Sequence, residues 1–188
     1  MAGRLPIALA AFGMACALAA PVLAQTVPPG QEGPLGALLP PVSGRSVCFA
    51  RRYDARHLAA HPAQTVSGMV LRIRYHRHEP EQAFPQGQRN YYFTLALDRR
   101  GRRKRLTTSG ECGPRGDAIV CGVECDGGGF GLKAEAGGTV LVDMTRFGRL
   151  RLGRSCDDEE GVEITPGRDD RSFRLEPVDA SQCAFPDE

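Results

Sequence analysis

The chain has 188 residues, 41% of them hydrophobic and 24% charged, with a formal net charge of +2. That length holds one hydrophobic core and is too short for two ordinary ones. With 8 Phe, 4 Tyr and no Trp, the core must rely on aliphatic side chains, and the near-neutral balance excludes a uniformly charged polyelectrolyte.

At the N-terminus a single charge, Arg4, precedes an apolar run from Leu5 to about Leu18. Small-x-small cleavage sites follow at Ala17-Leu18-Ala19 and Val22-Leu23-Ala24. This is the order of regions in a secretory signal. It predicts a signal peptide over 1–24, a mature chain starting at Gln25, and a periplasmic or secreted destination. Pro6 and Pro21 weigh against a retained anchor, so no stable membrane insertion is expected after cleavage. Residues 25–44 are rich in Pro and Gly and nearly uncharged. Such a stretch is expected to be a flexible linker, leaving 45–188 as a single domain.

Seven cysteines become six when Cys16 leaves with the signal: Cys48, Cys112, Cys121, Cys125, Cys156 and Cys183. An even set in an exported chain reads as a disulfide framework. Spacing alone leaves many pairings open. Cys112 and Cys121 flank a turn-like Gly113-Pro114-Arg115-Gly116-Asp117, which suits a clip across one hairpin; Cys48 and Cys183 could tie the ends of the domain, leaving Cys125 with Cys156. A zinc site on Cys121-x-x-x-Cys125 lacks the second ligand pair such sites bring.

The first element is a short helix over Asp54–His61, with Asp54 as N-cap and Pro62 as the stop. Period-2 alternation then dominates. Met69, Leu71, Ile73 and Tyr75 share one face of a strand, Tyr91, Phe93, Leu95 and Leu97 the face of a second, and Ile119, Cys121, Val123 and Cys125 that of a third. Val140, Val142 and Met144 continue the pattern, with shorter pieces at Phe130/Leu132, Leu150/Leu152, Val162/Ile164 and Phe173/Leu175. Gly, Pro and Asp clusters bound each run. The predicted class is all-β, a small antiparallel β-barrel or sandwich of about seven to nine strands.

All four histidines fall in one window. His57 and His61 are spaced for one helix face and His76 and His78 for one strand face. Imidazole suits zinc, copper or nickel, so a helix pair meeting a strand pair is the candidate metal site. Charge is strongly polarised along the chain: residues 45–105 carry 14 Arg/Lys against 4 Asp/Glu, and residues 106–188 carry 9 against 17. The densest basic point, Arg99, Arg100, Arg102, Arg103, Lys104 and Arg105, falls between two predicted strands. It reads as a hairpin tip able to hold an anionic partner, or else as strands paired with acidic neighbours. Asp157-Asp158-Glu159-Glu160 and Asp169-Asp170 raise calcium, without the alternating loop it favours. Asp126-Gly127-Gly128-Gly129 precedes a strand rather than a helix, so it reads as a turn and not a phosphate cradle.

The run Cys121-Gly-Val-Glu-Cys125-Asp-Gly-Gly-Gly-Phe130 stands out, together with His57-Leu-Ala-Ala-His61-Pro62 upstream and Asp169-Asp170-Arg171-Ser172-Phe173-Arg174-Leu175 near the end. Together these resemble a group of exported bacterial proteins with no known activity. The resemblance covers most of residues 46–183 and implies one globular exported domain, with no reaction attached. No Gly-x-Ser-x-Gly elbow is present, no cofactor is implied, and nothing resembles a base-reading module, so nucleic acid is not an expected partner. The expectation is a non-enzymatic binding module whose partner is an anionic envelope component or a protein. A histidine-based metal binder and a cell-envelope hydrolase are the rivals.

Overall fold

The computed structural model describes residues 26–183 and 185; the leader expected over 1–24, with Cys16, and the mature terminus at Gln25 lie outside the described residues. Among the described residues ten strands form: β1 (Ser46–Arg52), β2 (Val66–Arg77), β3 (Arg89–Arg99), β4 (Leu106–Arg115), β5 (Ala118–Val123), β6 (Gly129–Ala134), β7 (Val140–Asp143), β8 (Leu150–Leu152), β9 (Val162–Ile164) and β10 (Ser172–Pro177). Eight of them close into an antiparallel barrel in the order β1-β10-β7-β6-β5-β4-β3-β2, while β8 and β9 pair separately. The class read from the alternation is the one observed, and the barrel replaces the sandwich. Among the described residues no helix is long and apolar enough to cross a membrane.

A barrel of eight strands has an interior just wide enough for side chains. Here the inward positions carry Phe49, Met69, Leu71, Ile73, Tyr91, Phe93, Phe130 and Phe173, each at most 1% exposed. Large apolar side chains therefore line the interior of the barrel.

At one end of the barrel a short helix precedes β2. The helix α2 (Ala55–Ala60) forms as its cap signal predicts, with the Asp54 side chain accepting the His57 amide at 2.7 Å. Beside it, Asp170 is buried and accepts hydrogen bonds from the Thr65 amide (2.8 Å), the Thr65 hydroxyl (2.6 Å) and the Val66 amide (3.2 Å). Asp169 accepts the Ala63 amide. The paired aspartates therefore clamp the chain entering β2, and their donors occupy the oxygens that calcium would need.

The opposite end holds the main departure from expectation. Residues 26–44 are not a loose linker. They carry the helix α1 (Pro34–Leu38), and Val27, Leu35 and Leu39 are 2%, 0% and 3% exposed. The Tyr91 hydroxyl donates to the Leu39 carbonyl at 3.1 Å and the Val27 amide to the Arg89 carbonyl at 2.9 Å. Leu35 and Leu39, one helical turn apart, supply an apolar contact that overrides a composition poor in local order. The domain thus begins at or before residue 26 rather than at 45.

Among the described residues three disulfides join Cys48–Cys183, Cys112–Cys121 and Cys125–Cys156, with Cα separations of 6.0, 4.0 and 5.7 Å. Cys112 and Cys121 stand directly opposite each other on β4 and β5 and face the core. Cys48–Cys183 pins the C-terminal turn against β1. Cys125 does not extend the Ile119–Cys121 face, because β5 ends at Val123 and Cys125 sits in the turn that follows. The glycine block beyond that turn admits β8. Gly128 bridges Leu150 at a φ of +72°, and a side chain there would collide with the Arg149 carbonyl. Two further backbone bonds, Gly129 amide to Arg149 carbonyl and Arg151 amide to Gly127 carbonyl, lash β8 across the start of β6.

Candidate functional site

Where β8 leaves the glycine block, the chain that follows overhangs the outer wall of β3 and β4 and encloses a groove of about 380 Å³. Tyr92 and Thr94 on β3, with Ser109 and Glu111 on β4, form its floor. The register fixes these neighbours, since Tyr92 pairs with Glu111 and Thr94 with Ser109. Arg74 on β2 forms one wall, Arg151 and residues 153–156 the other, and Glu124 closes one end.

The floor is polar and hydroxyl-rich. The Tyr92 hydroxyl shares a 2.6 Å hydrogen bond with His78 Nε2. Burial pushes the Tyr92 phenol above its ordinary value, and the carboxylates of Glu111 and Glu124 add to that while Arg74 opposes it. The hydroxyl therefore stays protonated at neutral pH. Arg151 is fixed by donating to the Asp158 carbonyl at 2.7 Å, whereas Arg74 and Arg154 are exposed. The lining carries three guanidinium groups and two carboxylates, with the Asp158 carboxylate against the Arg154 amide in the wall behind them. Such a lining can hold a ligand with hydroxyls and negative charge by charge-assisted hydrogen bonds.

The basic run lies below the groove, at the tip of the β3–β4 hairpin, and only part of it stays available. Arg105 forms a bidentate pair with Asp98, both contacts at 2.8 Å. Lys104 pairs with Glu160 at 2.6 Å, and Arg100 donates to the Leu58 carbonyl. Half of the run thus serves the fold, as paired strands of opposite charge would. Arg99, Arg102 and Arg103 have no side-chain partner among the described residues, and Arg102 and Arg103 are exposed. The Lys104–Glu160 contact also joins the tip to the loop that walls the groove.

The histidines do not form the four-ligand site that their spacing suggested. His57 stacks on His61 with ring centroids 4.2 Å apart, and its Nε2 meets Gln64, whose amide donates to the carbonyl of Val66, the first residue of β2. His76 and His78 sit at the other end of that strand, with centroids 4.5 Å apart. At about 3.3 Å per residue the two pairs are roughly 30 Å apart. Among the described residues no three His, Cys, Asp or Glu side chains are grouped to hold a metal ion.

Tyr92, Ser109, Arg151 and Arg154 were not singled out by sequence. The available signal was indirect: Arg74, Tyr92 and Thr94 are outward positions of predicted strands, and a Cys125–Cys156 bridge brings the 150s against them. No protein-family model, curated protein or solved structure matches this chain. The fold itself defines the class, a closed eight-stranded antiparallel barrel with three disulfides and a polar groove on its wall.

Proposed function

We propose that this chain is an exported, non-enzymatic binding module that engages an anionic partner along the outer wall of its barrel. The observation that carries this reading is the set of unpaired arginines at the tip, Arg99, Arg102 and Arg103, beside a groove lined by Arg74, Arg151 and Arg154. The inward positions are taken by large apolar side chains such as Phe49, Phe93 and Phe130, which suit a core rather than an anionic ligand. Export is supported by the three disulfides, which persist in oxidising compartments, by the signal pattern of residues 1–24, and by the resemblance of the Cys121–Phe130 block to exported proteins.

Retention of the oxidised protein on an immobilised acidic polysaccharide tests the reading. Wild type is retained at low salt and elutes as salt screens the contact. The triple variant Arg99→Glu, Arg102→Glu, Arg103→Glu loses about tenfold or more in affinity, which corresponds to about 1.4 kcal/mol. Equal retention of the two proteins would sink the proposal. Mass spectrometry of protein expressed with its own leader tests export, since the mature chain should begin at Gln25 and carry three bridges.

A further inference from the structure

The three disulfides are not equivalent in their surroundings. Cys112 and Cys121 are 1% and 0% exposed, and Cys48 and Cys183 are 4% and 2% exposed, whereas Cys125 and Cys156 are both open to solvent. Thiol–disulfide exchange requires a thiolate to reach a sulfur atom, so access decides which bridge reacts. The exposed bridge also lies outside the strand ladder. Cys125 occupies the turn after β5 and Cys156 the loop after β8, so no barrel hydrogen bond depends on either residue.

From these placements we propose that Cys125–Cys156 is a thiol-exchange site, reduced selectively by a dithiol, and that its opening frees the wall of the groove while the barrel stays folded. In the reaction one thiolate of the dithiol attacks a sulfur of the bridge. A mixed disulfide forms and the other cysteine leaves as a thiolate. The second thiol of the reductant then displaces the first cysteine and closes its own disulfide. Two electrons pass to the protein, which ends with Cys125 and Cys156 as thiols.

The consequence for the groove follows from what else holds residues 153–161. Their remaining contacts are weak or local. The Asp158 side chain accepts the Arg154 and Glu160 amides, and its carbonyl accepts from Arg151. Lys104–Glu160 is an exposed ion pair, a kind worth little on its own. β8 is held differently, by its backbone bonds to the glycine block and by burial of Leu150 and Leu152. Residues 153–161 are therefore the stretch that can move, closed at its far end by the pairing of β9 with β8. Cys125 and Asp126 add a second reason for opening. Both hold left-handed backbone conformations, with φ of 58° and 56°, a cost for residues other than glycine that persists only where the surroundings enforce it.

Alkylation timed against limited dithiothreitol, read by mass spectrometry on the oxidised full chain, tests the site. Cys125 and Cys156 should label at least about tenfold faster than the other four. Hydrogen exchange after that step should rise across residues 153–161 and stay unchanged in β2, β3 and β5. The double variant Cys125→Ser, Cys156→Ser should fold, keep the barrel's exchange protection and show the same loosened segment. Labelling of all six cysteines at one rate, protection of 153–161 that survives selective reduction, or a double variant that fails to fold would each overturn the proposal. The effect on the groove rests on the binding reading given above, and the two fail separately. Loss of polysaccharide retention by the oxidised protein counts against that reading alone, and uniform labelling counts against the exchange site alone.

Discussion

Shortening Leu35 to alanine would show whether residues 26–44 belong to the fold. The side chain is fully buried at the end of the barrel, in α1, which lies against β4 and β5. Leucine-to-alanine changes at such sites cost about 2–5 kcal/mol, from lost burial and the cavity left behind. A value of about 3 kcal/mol fits a contact on one short helix, and for a domain of this size it lowers the melting temperature by about 6–12 °C. Urea unfolding followed by circular dichroism, with the disulfides intact, measures the loss. Val42→Ala is the control, because Val42 is 53% exposed and should change stability by less than about 0.5 kcal/mol. A Leu35→Ala protein as stable as that control would refute the reasoning, since a loose tether has nothing to lose.

Other consequences follow from the two barrel ends and the hairpin tip. Asp170→Ala strands three donors that the carboxylate now satisfies, and should cost about 3 kcal/mol in the same unfolding experiment. Burial raises the Tyr91 phenol, with Glu32 and Tyr75 adding to the shift. The unfolded chain therefore loses that proton first. The stabilisation is complete below about pH 10 and is lost as pH rises above it. Tyr91→Phe should remove this alkaline loss, read from melting temperatures across a pH series. Asp98 is shifted the other way, chiefly by its hydrogen bonds from Arg105. Its contribution is present above about pH 4 and fades as pH falls, and Arg105→Gln should flatten that acid limb.

Most of the barrel was legible in the sequence because inward and outward residues alternate cleanly in β2, β3 and β7. The cap at Asp54 and the hairpin clip at Cys112–Cys121 were local signals of the same kind. Two strands gave no such pattern. β1 reads Ser-Val-Cys-Phe-Ala-Arg-Arg and places Cys48 on the outer wall. β4 turns Thr108, Gly110 and Cys112 inward, small or polar residues that lack an apolar signature. Gly110 is needed there because a side chain would meet the Phe93 ring and the Gly122 carbonyl. The α1 segment was hidden for the opposite reason. Its Pro and Gly content predicts disorder, and only the barrel end makes Leu35 and Leu39 worth burying. The groove has no local motif at all. It exists because strand register sets Tyr92 beside Glu111, and because a bridge spanning a sequence separation of 31 brings Cys156 to Cys125. The basic tip was visible as a cluster, but which arginines stay unpaired depends on Asp98 and Glu160 being in reach.

Chemical-shift mapping of the isotopically labelled, oxidised protein during titration with an acidic oligosaccharide addresses the binding surface directly. Perturbations should concentrate on Thr94, Ser109, Arg151 and Arg154 in the groove and on Arg102 and Arg103 at the tip, with the inward residues of β2 and β3 unmoved. Shifts confined to the barrel ends or its interior, or no shifts at saturating ligand, would contradict an anion-binding outer wall.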